Sequence, residues 1–196
     1  LGHEFSGIVE KVGSKVEKVK PGDKIVADIE TNHGWLGVTR DGAFASYMAI
    51  PEDQVVIYPA DGSLDDACFV EQLVGVIHCM QERNNIKAGD AVLVVGPGPM
   101  GLMGVQFAKL RGARIVFLIG LKSDQKRLDI GKKVGADYIL YSDEKPEVAL
   151  RELNSGQGAD FVLECSASEV GFQHALDCAR RAPEGTGGKG VITSAS

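Results

Sequence analysis

The sequence predicts an α/β protein: a doubly wound parallel sheet preceded by a smaller β-rich region. Three observations predict it. Strand-like apolar runs alternate with helix-like segments from residue 87 onward, and a glycine-rich turn, Gly96-Pro97-Gly98-Pro99-Met100-Gly101, joins the first such strand to its helix. Residues up to about 59 are instead short β-branched or alternating runs with Gly and Pro between them. With 196 residues, 44% of them hydrophobic and 24% charged, the chain can bury a core as one large domain or two small ones.

In the first region the strand candidates are residues 7–12, 24–29 and 42–50, with Pro21-Gly22-Asp23 turning into the second. Residues 64–83 read as helix. Asp61 or Ser63 is its cap, and Asp65 and Asp66 lie near the positive end of its dipole. The alternation then runs strand 91–95, helix 100–111, strand 114–119 and helix 124–134, the last with Leu128, Ile130 and Val134 among its apolar positions. Strand 138–140, helix 147–153, strand 161–164, helix 170–179 and strand 191–193 complete the series, which implies parallel strands joined by crossover helices.

Composition excludes several classes. A net charge of −6 lacks the basic excess that nucleic acid or an anionic membrane demands. Residues 91–108 carry no charge and imitate a membrane span, but two glycines and two prolines interrupt the centre, where a spanning helix must keep its hydrogen bonds. No basic segment followed by an apolar core opens the chain, so no signal peptide is expected. Cys68, Cys79, Cys165 and Cys178 lack paired spacing and are expected as reduced thiols of a cytoplasmic protein. His33 reads as a loop residue, His78 and His174 as helix residues.

The turn at residues 96–101 is G-x-G-x-x-G, placed after an apolar strand and before a helix, the context of a Rossmann dinucleotide site. Gly96 permits the tight turn, Gly98 lets backbone approach a pyrophosphate, and Gly101 lets helix and strand pack closely. The helix that starts at Pro99 and Met100 presents the N–H groups that follow Pro99, and a positive dipole end, to phosphate. At the end of the second strand an acid would accept the ribose of NAD, but Gly120 stands there, and Lys122, Ser123 and Arg127 can meet the extra phosphate of NADP. Asp124 is either a displaced ribose acceptor or the cap of the next helix. The cofactor is therefore NAD(P), with a slight lean to NADP.

The N-terminal residues Gly2-His3-Glu4-Phe5-Ser6-Gly7, with Gly13 and Val16, form G-H-E-x-x-G-x5-G-x2-V. This resembles the signature of the zinc-containing alcohol dehydrogenases of the medium-chain dehydrogenase/reductase family. Pro21-Gly22-Asp23 and Gly42-Ala43-Phe44-Ala45-Ser46-Tyr47 are similar to further stretches of that family, and Val70-Glu71-Gln72-Leu73 resembles the E-P-L of its polyol and threonine dehydrogenase branch, with Gln72 departing from the usual Pro. The resemblance implies a partial GroES-like catalytic domain over residues 1–69 and a Rossmann domain, incomplete at its C-terminal end, over 70–196. It further implies Zn2+ on His3, Glu4 and Glu71, with His3 and Glu4 catalytic, Arg127 near the adenosine ribose, and Ser194 and Ala195 beside the nicotinamide half.

The activity implied is hydride exchange between a secondary alcohol or polyol, or the matching ketone, and the nicotinamide cofactor, in a homo-oligomer, either dimer or tetramer. The family's Cys zinc ligand and proton relay belong upstream of G-H-E, and its four-cysteine structural zinc lobe has no counterpart around residues 28–42. The sequence is thus expected to be an excerpt, inactive by itself. Two other readings stand beside this one: a zinc-free quinone or enoyl reductase of the same superfamily, and a noncatalytic NAD(P)-binding protein.

Overall fold

Strands of two to four residues cannot bury a face alone, and those of the N-terminal region do so by pairing across long loops. The computed structural model describes residues 1–32, 34–181 and 190–194. They divide into two compact units, Leu1–Val74 and Gly75–Ser196. The first holds β1 (Gly7–Ile8), β2 (Lys24–Ala27), β3 (Glu30–Thr31), β4 (Gly34–Trp35) and β5 (Val55–Ile57). β1, β2 and β5 form an antiparallel sheet in that order, with Ile25 opposite Ile57 and Val26 opposite Val56, while β3 and β4 pair as a separate hairpin. Ile25, Val26, Leu36, Val55 and Ala67 are its buried apolar residues.

Two expected strands differ in the structure. Of residues 7–12, only Gly7–Ile8 pairs as strand. Val9 extends the contact by one residue, donating to the Asp23 carbonyl and accepting from Gly22, and at that turn the partner strand ends. Residues 42–50 form no strand. Ala43 and Phe44 donate to the carbonyls of Gly2 and Leu1 at 2.9 and 3.1 Å, and a Cβ on Gly42 would stand 2.2 Å from the Gly2 carbonyl oxygen. The segment makes a close backbone crossing, and alternation without a neighbouring strand does not make a ladder.

The helix expected over residues 64–83 is broken into α1 (Leu64–Ala67), α2 (Val70–Ile77) and one π turn, His78–Glu82. Of the two cap candidates Ser63 serves, its hydroxyl accepting the Asp66 N–H at 3.3 Å. Phe69 then donates three residues back, to Asp66, which tightens and ends the first helix.

The second unit alternates strand and helix throughout: β6 (Ala91–Val95), α3 (Pro99–Leu110), β7 (Ile115–Gly120), α4 (Gln125–Lys133), β8 (Tyr138–Tyr141), α5 (Pro146–Leu153), β9 (Phe161–Glu164), α6 (Glu169–Cys178) and β10 (Val191–Ser194). The five strands are parallel in the order β10-β9-β6-β7-β8. The chain builds outward from β6 through β7 to β8, then returns to β9 on the other side. This reversal opens a crevice at the carboxyl ends of β6 and β9.

Side chains alternate across the sheet with period two. Val92, Val94, Val116, Leu118 and Leu163 join one buried cluster with Val105, Ala108 and Leu128 of α3 and α4. Leu93, Val95, Phe117, Ile119 and Val162 join the other with Leu150, Ala175 and Cys178 of α5 and α6. Both faces are covered, which is why β6 reads as an unbroken apolar run. On α4 the buried positions are Leu128 and Gly131, and Ile130, expected in the apolar set, faces outward. The helix lies so close that a Cβ on Gly131 would stand 2.2 Å from Leu118 Cδ2. Among the described residues no helix is long and apolar enough to cross a membrane.

Leu118 is fully buried between the central sheet and α4. Leu118→Ala should lower unfolding free energy by about 2–5 kcal/mol in urea titrations. A loss near zero would contradict the packing described.

Candidate active site

His3 precedes β1, and the segment after it is tied down by the Ser6 hydroxyl, which donates to the Leu64 carbonyl at 2.6 Å where α1 begins. Glu71 lies in the first turn of α2. These anchors bring together the three residues expected to hold metal. His3 Nε2 stands 4.0 Å from Glu71 Oε1, and one donor atom each from His3, Glu4 and Glu71 lie within 4.8 Å of one another. Burial pushes the Glu71 carboxyl above its ordinary pKa, His3 opposes that, and Glu4 adds to it. A half-buried carboxylate beside a second carboxylate is a site that a cation relieves.

The donor set fits zinc: one imidazole nitrogen and two carboxylate oxygens, all ordinary zinc ligands. Separations up to 4.8 Å are somewhat wider than the ligands of one ion, and the rotors of the two glutamates can close them. Gln72 follows Glu71 on the same helix, where the family pattern carries Pro.

The second unit carries a cleft of about 290 Å³ at the carboxyl ends of its strands. Gly96 turns the chain with φ +99°, against the backbone of Cys165 and Ser166. A Cβ on Gly101 would stand 1.9 Å from the Gly96 carbonyl oxygen, so α3 packs onto the strand end as the glycine spacing predicts. Gly98, the N-cap of α3, faces open space. The first-turn N–H groups of that helix have no carbonyl one turn earlier. A pyrophosphate fits such a cradle.

Of the residues named for the cofactor, Gly96, Gly98, Gly120 and Arg127 line this cleft. Pro99, Met100 and Gly101 do not line it. They form the first turn of α3, where Met100 packs toward Gly75. A Cβ on Gly120 would meet Leu128 Cδ2 at 2.8 Å and Pro97 Cγ at 3.0 Å, so an acid there would have to displace those side chains. Asp124 lines the cleft, 3.8 Å from Arg127, and its side chain makes no cap bond although it stands at the N-cap of α4. Lys122 and Ser123 lie in the short 3-10 turn beside the cleft, outside its lining. Ser194 ends β10, its carbonyl accepting the Cys79 thiol at 3.3 Å. Ala195 and His33 lie outside the described residues.

Sequence reasoning missed the opposite wall. Ser142 and His174 face the cleft and share a hydrogen bond of 2.8 Å. Buried Glu164 accepts the Ser166 N–H at 2.7 Å and also the Ser166 hydroxyl. The signal was present: ligands of such sheets sit beyond the carboxyl ends of the strands, and Glu164-Cys165-Ser166 follows directly on β9. All four cysteines are free thiols, Cys79 and Cys178 buried. His78 pairs with Glu82 across the π turn.

Residues 1–60 match the family described as Alcohol dehydrogenase GroES-like domain, and residues 99–186 match Zinc-binding dehydrogenase. The chain is 32% identical over 200 residues to a sorbitol dehydrogenase of Halalkalibacterium halodurans, covering 92% of this chain and 58% of that protein. It is 36% identical over 184 residues to an L-threonine 3-dehydrogenase of Bacillus subtilis, covering 85% and 52%. It thus spans a little over half the length of these relatives. A Sinorhizobium meliloti 1021 protein, described as a zinc-binding dehydrogenase and bound to NADP, superposes with a TM-score of 0.84 at 27% identity, over 100% of this chain and 60% of its own.

Cys165 lines the cleft, and burial, with Glu164 and Cys79 adding, pushes its thiol up to about 12. Between pH 9 and 12 the unfolded chain ionises this thiol while the folded chain does not, so its contribution to stability falls as pH rises. At pH 8 iodoacetamide should alkylate Cys165 much more slowly in the native protein than in urea, read by peptide mass spectrometry. Equal rates would refute the burial.

Proposed function

The chain belongs to the zinc-binding alcohol dehydrogenases of the medium-chain dehydrogenase/reductase family, and from that premise we propose that it acts in a zinc-dependent, NAD(P)-linked oxidation of secondary alcohols or polyols. The observation that carries the reading is the convergence of His3, Glu4 and Glu71, brought from the start of the chain and from α2 to within 4.8 Å. That donor set, in a chain that also carries a glycine-turn cleft, suits hydride exchange better than a zinc-free reduction, which has no use for it.

His3 and Glu71 are the residues that would hold the metal, with Glu4 completing or tuning the set. Zinc, when bound, supplies a Lewis acid that lowers the pKa of a substrate hydroxyl, and the nicotinamide supplies the hydride acceptor. The chain's own residues provide the rest. Gly98 and the start of α3 would receive the pyrophosphate, and Gly120, Leu121 and Arg127, which line the same cleft, would bound the adenosine half. Glu164 fixes Ser166 at the β9 end and so keeps the opposite wall of the cleft in place. Holding the dinucleotide this way fixes the orientation on which the transfer rate depends.

Between the two cofactors the residues favour NADP: Gly120 has no carboxylate for the ribose, and Arg127 and Lys122 are the cations nearby. Polyol and threonine-type substrates are the class the similar proteins suggest, and a dimer or tetramer is the assembly. In the intact protein, zinc should be present near one equivalent per chain at this site. His3→Ala and Glu71→Ala should each remove it, measured by plasma emission, and lower kcat/KM for a secondary alcohol at least about 100-fold. Full activity in a metal-free protein would overturn the reading.

A further inference from the structure

The lean to NADP rests on cations, and one of them is already engaged. Lys122 Nζ lies 2.6 Å from Glu144 Oε1 and 3.2 Å from Asp143 Oδ2. Its ammonium also stands 5.7 Å from the centre of the Tyr141 ring. The two acids sit in the turn between β8 and α5, directly after Ser142, which lines the cleft. Lys122 in turn sits between Leu121 and Asp124, which line the cleft from the other strand. A backbone hydrogen bond of 3.0 Å, from the Ser142 N–H to the Gly120 carbonyl, ties the two turns together at this rim.

We propose that Asp143 and Glu144 are specificity-determining residues, latching Lys122 away from the ribose 2′-phosphate of NADP and so setting the preference between the two nicotinamide cofactors. The inference rests on the reading of a dinucleotide at the glycine turn, and it weighs against the lean to NADP by holding back one of the two cations behind it.

Charge at the rim supports it. Lys122 and Arg127 supply two positive charges, and Asp124, Asp143 and Glu144 supply three negative ones, one of which already faces Arg127. A 2′-phosphate brings about two further negative charges, by analogy with other phosphate monoesters. It must take Lys122 from two carboxylates that repel it. The 2′-hydroxyl of NAD brings no charge and meets neither obstacle. The hydrogen bonds to Glu144 and Asp143 also favour the charged form of Lys122, raising its pKa from the ordinary lysine value. Asp143, Glu144 and Lys122 are all exposed, which makes the contact exchangeable and not a structural pin.

The test measures dissociation constants of NADPH and NADH by cofactor fluorescence on the full-length protein, at low and at moderate salt. Asp143→Asn with Glu144→Gln should tighten NADPH relative to NADH by about threefold to tenfold, the scale of two exposed charge pairs. Lys122→Ala should weaken NADPH selectively, and in that background the two neutral substitutions should give most of their gain no longer. An unchanged NADPH-to-NADH ratio overturns the latch, and so does an equal gain without Lys122, which would assign the effect to direct repulsion alone. If wild-type protein binds neither dinucleotide, the cofactor reading itself falls and the latch with it.

Discussion

The carbonyl oxygen of Gly96 occupies the space in which a side chain on residue 101 would begin, 1.9 Å from an ideal Cβ. This contact sets how near α3 lies to the end of β6. From it follows the depth of the cluster formed by Val94, Val105 and Leu118, since α3 and α4 reach that face of the sheet only when the first helix starts flush with the strand. The cleft depends on it as well. With the helix start pressed against the strand end, Gly98 is left facing open space, and the wall opposite is the backbone of Cys165 and Ser166. Packing and binding are thus two sides of one close approach.

The first unit reaches its chemistry differently. Its sheet is small, and its polar anchors do much of the positioning: Ser6 on Leu64, Ser63 on Asp66, and Arg40 on the buried Gln54 at 2.8 Å. The first two hold the segment after His3 against the start of α1, a few residues before Glu71, whose partial burial makes its negative charge unfavourable. A divalent ion there would relieve two carboxylates at once, so metal affinity and local order in this unit are expected to rise together.

Much of the second unit was legible because parallel strands covered on both faces leave unbroken apolar runs, as in Ala91-Val92-Leu93-Val94-Val95, and because the glycine spacing has one mechanical meaning. Residues 42–50 misled because alternation reports a local preference, while a strand needs a neighbour that the sequence does not announce. Ile130 misled for a related reason: apolar spacing allowed it inside, but contact at Gly131 decided which stripe of α4 faces Leu118. At the candidate site the motifs identified His3, Glu4, Glu71 and the glycine turn. The partners of Lys122 and the pairing of Ser142 with His174 were hidden, because each joins segments that only the strand order brings together.

A metal at His3, Glu4 and Glu71 and a dinucleotide at the glycine turn should be held by the same molecule. Diffraction at the zinc absorption edge, from crystals of the intact protein grown with NADPH, tests both in one measurement. The expected outcome is an anomalous peak bonded to His3 Nε2 and a Glu71 oxygen, with the pyrophosphate lying over Gly98. Zinc ligated elsewhere, or a dinucleotide bound away from Gly96 and Gly98, would contradict it.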